Sequence, residues 1–321
     1  MSALHKKFPG VEVGGSSSMK SSNIGGQAVM EGVMMRNADK YAVAVRKTDG
    51  EIVVKTEEYK GIVQNKKIRS LPIIRGVFSF IDSMVLGMST LTYSASFFMD
   101  EEEEEKDEKK ESVMMGLTIA CSVVMAVAIF MILPYFLSQL FRKFTDSTTL
   151  ITLLEGAVRL VIFFGYILLI SRMKDIQRVF MYHGAEHKCI NCIEHGLPLT
   201  VENVRKSSRQ HKRCGTSFLF IVMIVSIIFF LFIRIESPIW RVVFRLLLIP
   251  VIAGVSFEFI RLAGKSENKL VILLSKPGMM LQKLTTREPD ASMAEVAIAS
   301  VEAVFDWRAY LKENFGWQEK V

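Results

Sequence analysis

The chain has 321 residues, half of them hydrophobic, a positive mean hydropathy and a net charge of +7. That composition excludes an ordinary soluble globule, and several runs reach the roughly 20 apolar residues that cross a bilayer as a helix. In such a chain the 40 Lys and Arg against 33 Asp and Glu fit membrane topology and anionic head groups better than nucleic acid.

Residues 1–22 have a basic start with no apolar core behind it, so a flexible Gly/Ser tail is expected there and a signal peptide is not. Alternating apolar and polar residues flank Thr48-Asp49-Gly50, which predicts a hairpin within a small cytoplasmic β element over 23–70. Gly25-Gly26 and Gly32 imply a backbone that turns tightly or is closely approached. Over 71–99 the apolar residues fall at helical spacing, interrupted by Arg75 and Asp82. An amphipathic or re-entrant helix is predicted, with a full span as the alternative. The acidic run over 100–112 reads as a solvated linker.

A membrane domain of about four spans follows over 113–262, at Val113–Leu140, Leu150–Ser171, Thr216–Ile233 and Ile239–Leu262. The central loop 172–215 holds nine Lys or Arg, so it and both termini are expected to face the cytoplasm. Beyond it, 263–321 reads as a cytoplasmic tail: an apolar interfacial segment broken at Pro277-Gly278, then a soluble helix. A capping-box signature at Ser292 and Glu295 starts that helix, which is expected to reach about Tyr310. The fold class expected is therefore mainly α, a polytopic helical membrane protein with a small N-terminal β-hairpin element and a C-terminal soluble helix.

Three of the five histidines and two of the four cysteines crowd into Phe180–Pro198. If Lys174–Glu194 is helical, His183 and His187 share a face with Glu186 beside them. The string His-Gly-Ala-Glu-His has the H-x-x-E-H order in which two imidazoles hold zinc and the glutamate takes a proton from water. Glu194 is a candidate third ligand on that face, and Glu258, three residues before Arg261 in the last span, a lesser one. Gly184 costs such a helix about 1 kcal/mol relative to Ala. A competing reading pairs Cys189-x-x-Cys192 with His211-x-x-Cys214 as a closed structural zinc knuckle. His195 is a doubtful neighbour in either reading.

The strings "GGQAVMEGVMMR", "HGAEHK", "LTVENVRKSSRQHKRCGTSF" and "PGMMLQKLTTREPD" together resemble the DUF1385 family, over roughly Asn23 to Ala299. The resemblance implies an uncharacterised bacterial cytoplasmic-membrane protein, labelled in places a predicted metal-dependent enzyme. It implies His183, His187, His211 and Cys214 as metal positions with Glu186 as the catalytic one. It also includes Cys192 but often not Cys189, which weakens the knuckle. Two functions remain. One is a zinc hydrolase or protease-like enzyme at the cytoplasmic membrane surface. The other is a scaffold or membrane-protein biogenesis factor whose zinc is structural and whose basic surface meets anionic lipid or a protein partner.

Overall fold

The computed structural model describes residues 19–98, 108–233, 235, 237–266 and 268–318. Most of the expected tail and the greater part of the acidic linker lie outside the described residues. The last tail residues are ordered by the fold: the Lys20 amide donates to the Glu194 carbonyl at 3.0 Å, and the Ser22 amide to its carboxylate at 2.7 Å.

The β element is larger than one hairpin. Strands β1 (Gly25–Val29), β2 (Gly32–Asn37), β3 (Lys40–Arg46) and β4 (Ile52–Glu58) form an antiparallel meander in that order. The predicted hairpin joins β3 to β4, with Arg46 opposite Ile52. The two extra turns carry Glu31 and Ala38 at positive φ, without the Asn-Gly or Gly-Gly pairs that usually announce such turns. β2 and β3 are apolar on both faces because both faces are covered. Val33, Met35, Ala42 and Ala44 join one core with Ile190, Ile193, Val296, Ala297 and Leu311. Met34, Tyr41, Val43 and Val45 join another with Leu86.

A short α1 (Lys66–Ser70) and the long α2 (Ile74–Ala95) come next. Asp82 anchors this stretch from the middle of α2, buried and accepting from the Ile62 amide at 2.8 Å and the Tyr59 hydroxyl at 3.1 Å. The start of α2 packs on a much later helix, where Gly76 lies against Gly254 and Phe257. Its end returns to the sheet, with the Met30 amide donating to Ser94 Oγ at 3.0 Å.

The first predicted span divides into α3 (Glu108–Val127), a π-helical turn (Ala128–Ile132) and α4 (Leu133–Gln139). Pro134 accounts for the turn, since it lacks an N–H and its ring crowds the carbonyl four residues earlier. Then come α5 (Thr148–Ile170), α6 (Lys174–Glu194), α7 (Val201–Lys206), α8 (Gly215–Phe232) and α9 (Pro238–Lys265). Among the described residues, five helical stretches are long and apolar enough to cross a membrane: the four predicted, and Ile74–Phe98.

Far from the sheet, α5, α8 and α9 are tied by a buried charge cluster. Glu155 accepts two bonds from Arg245, at 2.6 and 2.9 Å, and one from Arg159 at 2.8 Å. Arg159 also donates to Ser226, and both guanidinium groups lie over the Phe230 ring, at 5.0 and 4.7 Å.

The segment expected to break at Pro277-Gly278 is one helix, α10 (Lys269–Thr285). Proline costs it one backbone bond, and Gly278 brings the helix against Ser217 of α8. The C-terminal helix is capped by Asp290, whose carboxylate accepts from the Met293 amide at 2.9 Å, so the capping box at Ser292 does not form. It stops at Val304 as α11 (Ala291–Val304), and Asp306 caps a second helix, α12 (Trp307–Phe315).

Candidate metal centre

The helix expected over Lys174–Glu194 forms with those ends, set off from α5 by a turn at Ser171–Met173. His183 and His187 lie one turn apart with ring centroids 4.4 Å from each other. A backbone carbonyl can only accept, and each imidazole meets one through Nδ1. His183 donates to the Thr285 carbonyl at 2.9 Å, and His187 to the Arg209 carbonyl at 2.6 Å. Both Nε2 lone pairs are thereby turned away from the backbone, the arrangement that orients metal-bound imidazoles. The Cys214 thiol meets them, with Sγ 3.3 Å from His183 Nε2. Donor atoms of His183, His187 and Cys214 all lie within 4.8 Å of one another, so this trio could hold a cation.

Cys214 is the N-cap of α8 and accepts from the Thr216 amide at 3.4 Å. Burial alone would raise its pKa, but the two imidazoles outweigh burial and hold it well below the ordinary thiol range. The imidazoles respond in kind. Burial would depress them, yet the Cys214 charge raises His183, and Glu186 with Cys214 raises His187 to about 9. The donor set is thus electron-rich and charge-hungry. Without a cation, protons on the imidazoles balance the thiolate.

Glu186 is buried beside the trio, its Oε2 3.4 Å from His187 Nε2. Two glycines make this packing possible. A Cβ on Gly26 would sit 2.8 Å from Glu186 Cγ, which explains the close approach expected near Gly25-Gly26. A Cβ on Gly184 would overlap the Arg287 carbonyl oxygen, whose own amide donates to Phe180 at 2.8 Å.

The other candidates fall into place around the trio without joining it. His211 is buried next door, its ring 5.8 Å from His187, but its Nε2 points to Glu194 at 3.4 Å. Glu194 is occupied as well, by Ser22, His211 and an ion pair with Arg213. Burial would raise its pKa, but these partners bring it down to about 2. Cys189 and Cys192 lie in the apolar core, where burial raises both thiols, Cys192 to about 12. Cys192 donates to the carbonyls of Leu197 and Pro198, so the four-ligand knuckle is not assembled. His195 bonds the Asn191 carbonyl at 2.7 Å. Glu258 does not reach the trio and is claimed by Arg75 at 2.6 and 2.5 Å, leaving Arg261 at 3.8 Å from it.

A cavity of about 580 Å³ opens over the trio, between the β1 edge, α2, α6 and the sheet-side ends of α8 and α9. His183, Glu186, His187, His211 and Cys214 all line it, as does Arg36 of β2, a residue whose place here no local sequence pattern announces.

Residues 71–307 match the family model described as "Protein of unknown function (DUF1385)". The chain belongs to the DUF1385 family. It is also 37% identical over 301 residues to "Uncharacterized protein YqhQ" of Bacillus subtilis (strain 168), covering 90% of this chain and 94% of that one. No solved structure matches. The resemblance seen in the sequence strings is therefore membership, while neither match names a metal or an enzyme activity.

Proposed function

We propose that this DUF1385 protein is a zinc-dependent hydrolase acting at the cytoplasmic surface of the bacterial membrane. The observation that carries the reading is the convergence of three donors, His183 Nε2, His187 Nε2 and Cys214 Sγ, on a space that opens into a cavity. Nitrogen and thiolate donors suit zinc. Three protein ligands with one side open is the pattern of a catalytic site, whereas a structural site is closed by four. Zinc bound there would supply Lewis acidity and make a neighbouring water acidic. In this reading Glu186, beside His187, would take that proton and return it to a leaving group, while the Thr285 and Arg209 carbonyls keep both imidazoles in one tautomer. His211 holds Glu194 and Arg213 in register at the cavity wall.

The topology follows from the same frame. The sheet packs on α6 and also receives the end of α2, so both flanks of α1–α2 lie on the sheet side. The reading is four crossings, with α2 dipping in and returning. The excess of Lys and Arg in the loop 172–215 supports that side as the cytoplasmic one. A cysteine at Thr48 then labels only after the membrane is permeabilised.

Metal analysis of protein purified without chelator tests the centre. About one zinc per chain is expected, lost in Cys214→Ser and kept in Glu186→Gln. Incubated with total membrane extract, the wild type should generate a product, read by mass spectrometry, that Glu186→Gln does not. Zinc absent from the wild type removes the proposal. Activity that survives Glu186→Gln leaves the metal structural and returns the scaffold reading.

A further inference from the structure

Among the described residues, two arginines at the cavity have no carboxylate of their own. Arg36 donates from Nε to the Ala38 carbonyl at 2.8 Å and from Nη2 to the Tyr59 carbonyl at 3.4 Å, and stacks on the Tyr59 ring. All of these partners are neutral, so no described carboxylate pairs with it directly. Arg261 has Glu258 as its only acidic neighbour among the described ion pairs, at 3.8 Å, and that carboxylate is already bound in bidentate fashion by Arg75. The third arginine lining the space, Arg213, is neutralised by Glu194. Two surplus cations therefore face one cavity, close to a centre that would itself be cationic when metal is bound.

Part of the remaining wall is apolar, beside the polar Asn23, Gln27 and Ser83. Leu86 of α2 and Phe257 of α9 line the cavity with Met34 and Ile24 from the sheet side. Below them α2 meets α9 at Gly76 and Gly254, so the apolar wall continues into the helical bundle. On the outer face of α2, Met84, Val85 and Met88 are exposed where a cytoplasmic leaflet would surround them. A small soluble anion would make no use of this wall. An anion with acyl chains satisfies both halves, because guanidinium groups pair with phosphate through several N–H donors while the chains stay out of water.

We infer that the cavity receives the phosphate head group of an anionic lipid, held between Arg36 and Arg261, with its acyl chains against Leu86 and Phe257. The inference deepens the proposed function by naming the substrate class, and rests on that reading only for the head group's proximity to the metal trio.

The test uses full-length protein in phosphatidylcholine nanodiscs, metal-free and cobalt-loaded, titrated with dioctanoyl phosphatidic acid, dioctanoyl phosphatidylcholine or inorganic phosphate. Binding is read by equilibrium dialysis, and the cobalt site by its visible and thiolate charge-transfer bands. Saturable binding of the phosphatidic acid is expected, at least about a hundredfold tighter than inorganic phosphate, with a change in the cobalt bands. Arg261→Gln should weaken it about tenfold and Arg36→Gln with Arg261→Gln further, while Arg261→Lys keeps most of it. An unchanged cobalt spectrum in the lipid-free variants shows that the site stays folded. Equal binding of phosphatidylcholine, or indifference to both arginine changes, overturns the inference. Phosphate binding as tightly as the lipid overturns it in favour of a soluble anion. If cobalt does not bind but arginine-dependent lipid binding persists, the metal reading fails and the lipid site stands.

Discussion

The molecule buries two charged clusters at opposite ends of its helical bundle, and they are built on opposite logic. In the Glu155 cluster every carboxylate oxygen is taken by a guanidinium, and the surplus positive charge lies over the Phe230 and Tyr135 rings. At the sheet end, His183, His187 and Cys214 bring their donor atoms together and open to a cavity. Both are costly to bury. One cluster pairs its carboxylate fully within the protein and holds helices together. The other leaves the balance open for something that is not part of the chain.

The sharpest way to break this contrast is to unbalance the closed cluster. Glu155→Ala leaves two arginines buried among apolar helices without a counter-charge, and losing one partner of a buried ion pair costs about 3–5 kcal/mol. Thermal unfolding in detergent should show the loss, with zinc stoichiometry unchanged in whatever fraction stays folded. Replacing all three charges at once, by Leu at 155 and Met at 159 and 245, should recover most of the stability. If Glu155→Ala is as stable as wild type but loses zinc, the two clusters are coupled and the contrast fails.

Glu194 lies between the two cases: next to the open site, yet fully engaged. Its pKa of about 2 lies below the ordinary 4.5, a difference worth on the order of 3 kcal/mol. Because the folded value is the depressed one, that stability is fully present above about pH 4.5 and fades as pH falls towards 2. Glu194→Gln should therefore be less stable than wild type at pH 7 by roughly that amount, with the gap narrowing between pH 4.5 and 3. Parallel melting curves across that range check it, and a gap independent of pH would mean the carboxylate's charge is not what ties Ser22, His211 and Arg213 together.

What the sequence disclosed about these clusters follows from how local each signal is. His183, Glu186 and His187 were legible because helix periodicity puts them on one face within a single turn, and Cys214 because it closes the same basic loop. The rest of the site's geometry was not, since the Thr285 and Arg209 carbonyls are backbone groups that no residue type announces. His211 carried the right chemistry at the right end of the loop, but only the fold gives it Glu194 as a partner. The four spans were legible from apolar length, and the stretch over 71–99 was legible as an amphipathic or re-entrant helix, though its length and composition also suit a crossing. The Glu155 cluster did leave a trace, a Glu and Arg four apart inside one span and an Arg inside another. Charged residues within a span are a functional or structural flag by default.

The smallest effect is the most specific to the open site. Gly184 interrupts the helix that carries both histidines, and on helix propensity alone Gly184→Ala should stabilise α6 by about 1 kcal/mol. The added methyl would overlap the Arg287 carbonyl oxygen, so α6 and the 285–287 segment must move apart, and overpacking of that kind costs about 1–3 kcal/mol. Net stability should fall by at most about 2 kcal/mol. The movement acts on the Thr285 carbonyl, which holds His183 Nδ1 and so aims its Nε2. Losing such an outer hydrogen bond typically weakens metal binding about 10- to 100-fold. Competition with a chelator of known affinity should thus report weaker zinc binding in Gly184→Ala than its modest change in melting temperature implies. Affinity that tracks stability alone would make Gly184 a packing residue, and zinc that binds more tightly would show that the Thr285 contact restrains the site instead of orienting it.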